Sequence, residues 1–424
     1  MVTVHAESIT LWVEGDIATN QILSKLLNDL GFPKGCRTRN IESLELADLA
    51  DSVPVFCRLC HPQLFWIPEY LTEKGISYVY YIDDNFWMLH GTTPLHKYYN
   101  SPEVVRSLDN FVRYASTVIT NSCALRDCID RRFPSVRNEL LPPPFDVSFI
   151  KRLLGEDGND QYKKTSSKFI VGYSGGFKAE EFAFLVGVVN ALHAELPDIR
   201  FEFIGACPEE LKSHPAVSWF PPINDYDEYL AFQLSRKWTI GLAPLMASGF
   251  NAAKTDNKFR EYGGCGIAGV YSMVSPYREV VIHGRTGILV DNSVECWVTA
   301  IKQILEDCEL HQRMTQGAFA YVEQRYAHDA IANSWREVFD WVSHRPRISL
   351  TERIRFRAVK QLCLARPEPA AKNIENAELL GVVMGTGAIL VSRVINRRTL
   401  KLGFAILLGL SLIHINIVLF RISF

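Results

Sequence analysis

Cysteine is sparse in this chain, ten in 424 residues and scattered, which excludes a disulfide-built scaffold. Cys57 and Cys60 have no second Cys-x-x-Cys to complete a four-cysteine zinc site. Net charge is nearly absent too. A formal value of -2 gives no electrostatic basis for binding nucleic acid. The opening residues MVTVHAE lack a basic stretch leading into an apolar one, so no signal peptide is expected and the cysteines are expected reduced, on the cytoplasmic side of any nearby membrane. With 48% hydrophobic and 22% charged residues, the composition is that of a globular protein. The length suggests two domains with additions.

Short apolar runs alternate with helical periodicity from the start. SITLWVEG, VPVFCRLC, ISYVYYIDD and STVITNS read as strands; ATNQILSKLLNDLG, PQLFWIPEYLTEKG and ALRDCIDRRF read as helices. This β-α alternation predicts a parallel sheet with helices on both faces over residues 1–150. Residues 151–167 (KRLLGEDGNDQYKKTSS) are mostly polar and read as a linker. The alternation then resumes over 168–344, through KFIVGYSGG, IRFEFIG, WTIGLAPL, GIAGVYS and GILVDN as strands. The expected fold class is therefore α/β: two Rossmann-like domains facing a cleft, a common place for a ligand.

Residues 345–424 differ in character and form an expected membrane-associated tail. The stretch RPRISLTERIRFRAVK holds six basic residues and one acidic, and 402–420 is an uncharged run of 19. As a helix that run reaches about 28 Å, close to the bilayer's apolar thickness. Arg393, Arg397, Arg398 and Lys401 precede it and Arg421 follows, which puts the folded domains on the cytoplasmic face. Either a transmembrane helix or an interfacial one fits, since His414 and Asn416 interrupt the run. The uncharged run of 13 at 379–391 is too short to span alone.

Three motifs invite over-reading. Gly264-Cys265-Gly266-Ile267-Ala268-Gly269 matches the dinucleotide fingerprint G-x-G-x-x-G. That fingerprint works as strand, turn, helix, so that a helix N-terminus faces the pyrophosphate. Here the order is reversed, and glycines after NKFREY are expected to cap a helix before a strand. CRLCH, from Cys57 to His61, matches a haem-attachment pattern, but its cysteines fall in or beside an expected buried strand, where a free thiol is a small apolar group. Asp83 and Asp84 in IDDN end a strand at the expected ligand edge. They are read as site-facing without a metal, with a cation site or local capping as alternatives.

The stretch GLAPLMASGFNAAKTDNKFREYGGCGIAGVYSMVSPYREVVIHGRTGILVDN carries an ordered set of parts: a strand ending APL, a loop, a helix with Glu261, a strand, SPYRE, and HGRTGILV. With FIVGYSGGFK upstream, it resembles the donor-binding half of GT-B glycosyltransferases, specifically retaining family 4. TVITNSCALRD and LLPPPFD extend the likeness weakly into the first half. The resemblance implies sugar transfer from a nucleotide-diphosphate sugar with retention, and a grip on the nucleotide ribose by Glu261.

By the same resemblance, Gly175, Gly176, Lys258, Asn251 and Glu279 join Glu261 on the donor side, while Asp83, Asp84 and Arg58 line the acceptor side. Lys254, Lys178 and Arg260 are the cations expected to neutralise the departing diphosphate, in place of a metal or other cofactor; a merely solvated charge is the alternative for each. Two departures stand out. Ala253 occupies the place of the family's common sugar-contacting glutamate, and the first Gly-rich turn lacks its Arg, offering only Lys178 in a displaced register. The expected partners are a nucleotide sugar, a glycan or lipid-linked acceptor, and a membrane through the tail. Rival readings are a GT-B-fold scaffold subunit that has lost transfer chemistry and a sugar-nucleotide epimerase.

Overall fold

The computed structural model describes residues 8–155, 169–176, 179–340, 342, 356–358 and 360. Lys178, the two apolar runs and most of the basic stretch expected in the tail lie outside them. Among the described residues, twelve strands form two sheets. The first contains β1 (Ile9–Val13), β2 (Cys36–Asn40), β3 (Val53–Cys57), β4 (Val79–Tyr81), β5 (Thr117–Thr120) and β6 (Asn138–Leu140). The second contains β7 (Ile170–Gly175), β8 (Arg200–Gly205), β9 (Val217–Phe220), β10 (Ile240–Ala243), β11 (Ala268–Ser272) and β12 (Ile288–Val290). Their orders are β2-β1-β3-β4-β5-β6 and β12-β11-β10-β7-β8-β9. Neighbouring strands pair in parallel, for example Val55 with Val79 and Leu242 with Tyr173.

Parallel strands covered on both faces need apolar residues along their whole length, and VPVFC in β3 is buried at all five positions. β2 (CRTRN) is half exposed at the sheet edge, β9 is similarly open, and neither announces itself by an apolar run. Phe56, Tyr78, Tyr80 and Phe111 fill one side of the first sheet; Val171, Phe201, Leu242 and Trp297 belong to the core of the second.

Two expected boundaries shift. The stretch read as the start of a linker, from residue 151, is the end of a helix, Val147–Leu154, whose Val147 and Ile150 are buried with second-domain residues. At the other end, the helix His328–Asp340 belongs to the first domain, not the second. Its Ile331, Trp335, Val338 and Phe339 form one apolar stripe that packs with Leu23, Leu26, Leu27 and Leu30. The chain thus crosses back over the junction. Phe356 continues the return, fully buried against the rings of Trp66 and Tyr70.

The reversed fingerprint is a helix stop. After the helix Asn257–Gly264, Gly266 turns left-handed at φ 68°. Ile267 N–H donates to Tyr262 O at 2.9 Å and Gly266 N–H to Gly263 O at 3.2 Å, the paired bonds of a Schellman cap. Gly264 also permits close packing, because a Cβ there would stand 2.1 Å from the Phe145 ring. Gly264→Ala should therefore destabilise the protein by about 1–3 kcal/mol through overpacking. Gly176→Ala, with nothing within 4 Å of its added carbon, should stay within about 0.5 kcal/mol of the parent; urea denaturation of both checks the contrast.

Candidate functional site

A cavity of about 50 Å³ lies between the domains. Thr19, Tyr81 and Asp83 line it from the first domain, and Tyr226, Arg260 and Glu261 from the second. Parallel-sheet topology accounts for the placement, since the loops at the strand C-termini converge on one edge. Asp83 follows β4, and Glu261 projects from the helix between β10 and β11.

Glu261 is almost completely buried. Its Oε2 accepts from the Tyr229 hydroxyl at 2.9 Å and from Lys258 Nζ at 2.6 Å. Its Oε1 has a longer contact, 3.4 Å, with the Tyr226 hydroxyl. Burial, reinforced by the neighbouring carboxylate, pushes both tyrosines well above their ordinary pKa, so each keeps its proton as a donor.

Across the cavity, Arg58 gathers first-domain side chains. Its guanidinium lies 2.8 Å from Asp84 Oδ2, 3.3 Å from Asp83 Oδ1 and 3.2 Å from Thr19 Oγ1, and 4.9 Å over the Phe86 ring. Thr19 donates to the other Asp83 oxygen at 3.0 Å. Arg58 itself sits at φ 58°, an uncommon backbone for a side chain of its size. Burial opposes its charge, but Asp83 and Asp84 outweigh that and raise its pKa. Asp83 is raised by burial despite the arginine. Among the described residues no group of three or more His, Cys, Asp or Glu could hold a metal ion.

The other expected site residues divide. Lys258 reaches Glu261 but is paired with it. Arg260 borders the cavity, yet its guanidinium is a strut instead of a free cation: it donates to Asp256 at 3.0 Å, to Pro144 O at 2.6 Å and to Asn257. The surrounding carboxylate and tyrosines hold its charge against burial. Lys254 lies 4.5 Å over the Phe250 ring, and Asn251 donates to Met246 O at 2.8 Å; neither borders the cavity. Glu279 is exposed and bonded to Ser275. Gly175 ends β7 at φ 147° with Gly176 next. Cys57 and Cys60, from the haem-like motif, are buried, and burial pushes both thiols well up.

Ala253 is 1% exposed and packs into the first domain's core. Its carbonyl accepts from Ser122 at 2.6 Å. Sequence reasoning missed Thr19, Tyr226 and Tyr229. The spacing of three between Tyr226 and Tyr229 in DYDEYLAFQLSR puts both on one helical face and was the available signal.

Residues 168–307 match the family described as "Glycosyl transferases group 1". Residues 168–307 are thus a segment of glycosyltransferase type. The chain resembles GT-B members of that class in solved structures. Sucrose-phosphate synthase from Thermosynechococcus elongatus is 16% identical at a TM-score of 0.58, over 78% of this chain and 98% of that one. HepE from Anabaena, in complex with UDP and glucose, is 14% identical at 0.55, over 79% and 99%. A second HepE structure, with UDP-glucose, is 15% identical at 0.54, over 78% and 98%. No curated protein matches the chain.

Removing Arg58 would leave two carboxylates without their buried partner, so Arg58→Ala should cost about 3–5 kcal/mol at neutral pH. The sign of its pH dependence follows from Asp83. A carboxyl whose folded pKa lies above its unfolded one binds its proton more tightly when folded, so acidification favours the fold. The deficit should shrink as pH falls from neutrality toward the unfolded aspartate range; urea titrations at several pH values measure it.

Proposed function

We propose that the chain moves a sugar from a nucleoside-diphosphate sugar to a membrane-proximal or lipid-linked glycan, with retention and without a metal. The observation that carries this is the cavity shared by Glu261 and Asp83. Glu261 sits in the helix of the family segment, suited to accept a ribose hydroxyl. Asp83, on the opposite wall, is suited to receive the acceptor. The departing diphosphate is stabilised by backbone N–H groups of the Gly175–Gly176 turn and by Lys178, while Lys258 stays paired with Glu261. Retention rests on the family resemblance. The UDP and UDP-glucose in HepE support a nucleotide-sugar donor.

A ligand pocket for such a donor takes several hundred Å³, far more than the cavity of about 50 Å³. The donor therefore enters as the domains part. That motion breaks the Gln21 bonds to Tyr226 N (2.7 Å) and Asn224 O (3.3 Å) and the 2.7 Å pair between Lys25 and Asp227.

A membrane-proximal acceptor is supported by the tail's route. Phe356 is seated against Trp66 and Tyr70, and Arg357 pairs with Glu45 at 2.7 Å. These contacts hold residues 356–357 on the first domain. No helix among the described residues is long and apolar enough to cross a membrane. Deleting residues 361–424 should move the protein from the membrane fraction to the soluble one and abolish transfer to a lipid-linked acceptor. Unchanged sedimentation with membranes would contradict this.

The donor reading is tested by calorimetric binding of UDP, GDP and dTDP to the full chain and to Glu261→Ala. One nucleotide should bind, and the variant should lose about tenfold to a hundredfold in affinity, as expected for charge-assisted hydrogen bonds. Binding without turnover of any matching sugar nucleotide would favour a scaffold role instead, a reading consistent with Ala253 in place of the glutamate.

A further inference from the structure

Glu261 presents its two carboxylate oxygens differently, and the difference has a source. Oε2 is engaged by Tyr229 and Lys258, whereas Oε1 has only the 3.4 Å contact with Tyr226, a cavity-lining residue. Tyr229 is itself fixed: its hydroxyl lies 2.8 Å from Ser174 Oγ and 2.6 Å from Gln233 Oε1. Ser174 and Gln233 are both fully buried. Ser174 stands in β7 and Gln233 one turn beyond Tyr229 on the same helix, so rigid elements set the hydroxyl's position.

Tyr229 donates to Glu261 Oε2 at 2.9 Å from a hydroxyl held in place by Ser174 and Gln233. Lys258 alone would hold Oε2 through a flexible, rotatable ammonium. The tyrosine therefore supplies the directional half of the restraint. Resting on the donor reading above, we propose that Tyr229 is a positioning residue, which ties down one oxygen of Glu261 so that the other is presented to a nucleoside hydroxyl. Ser174 supports Tyr229 in this role. The consequence is discrimination: one fixed acceptor oxygen recognises a hydroxyl by place, and a rotating carboxylate does not.

The test uses the full chain, its Tyr229→Phe variant, and Ser174→Ala as a second route should the first fail to fold; thermal unfolding verifies each. UDP, GDP and ADP, each with 2′-deoxy and 3′-deoxy counterparts, are titrated by calorimetry. For the base that binds, loss of one hydroxyl should weaken binding to the parent by about tenfold or more. In Tyr229→Phe that ratio should fall to about threefold or less, with Ser174→Ala between the two. A variant that is merely less stable would bind all forms in proportion, leaving the ratio unchanged. A full ratio in Tyr229→Phe would overturn the positioning role while leaving the donor reading intact; a parent indifferent to both hydroxyls would overturn the positioning role and the ribose grip of Glu261 together. If no nucleoside diphosphate binds the folded parent, the donor reading fails and this role with it.

Discussion

Burying an ionised carboxylate costs several kcal/mol unless donors meet it on the spot. Glu261 stands at the seam between two six-stranded sheets, and the surrounding elements are arranged to supply those donors. Lys258 comes from the same helix, Tyr226 and Tyr229 from the helix Tyr226–Ser235, and Ser174 from β7 behind them. The Schellman turn at Gly266 ends the glutamate's helix. Gly264 lets that helix settle against Phe145, in the segment that joins the domains. The position of one carboxylate thus depends on both the second sheet and the interdomain junction.

The first domain answers with its own compensated charge. Arg58 lies within ion-pair distance of both Asp83 and Asp84, and it does so from a strained backbone. Strain of this kind persists where the surroundings over-determine it. Here Thr19, Phe86 and the paired carboxylates do so. The two walls of the cavity are therefore built alike, as acidic groups held by neighbours and facing a common space.

Much of this architecture was legible in the sequence. Apolar runs such as VPVFC and FIVGYS marked central strands, and the order helix, glycines, strand ruled out a dinucleotide site. Glu261 was found because its surroundings kept a family order. What escaped notice had physical reasons. CRTRN and VSWF are edge strands with exposed positions, so they lack the apolar signature of central ones. The helix from His328 carries an ordinary apolar stripe that says nothing about which sheet it will cover. Arg260 reads as a free cation because sequence spacing does not reveal that Asp256 and Pro144 already occupy it. Tyr229 acts through a contact 32 residues away, beyond any local pattern.

The central claim is that Glu261 Oε1, weakly held by Tyr226, receives a nucleoside at the seam between the domains. A crystal structure of the full chain with the nucleoside diphosphate that binds it tests this most directly. The account predicts a ribose hydroxyl within hydrogen-bond distance of Glu261 Oε1, the phosphates toward the Gly175–Gly176 turn, and Asp83 facing the exposed end of the ligand. A nucleotide seated elsewhere, with Glu261 still bonded only to its tyrosines and lysine, would contradict it.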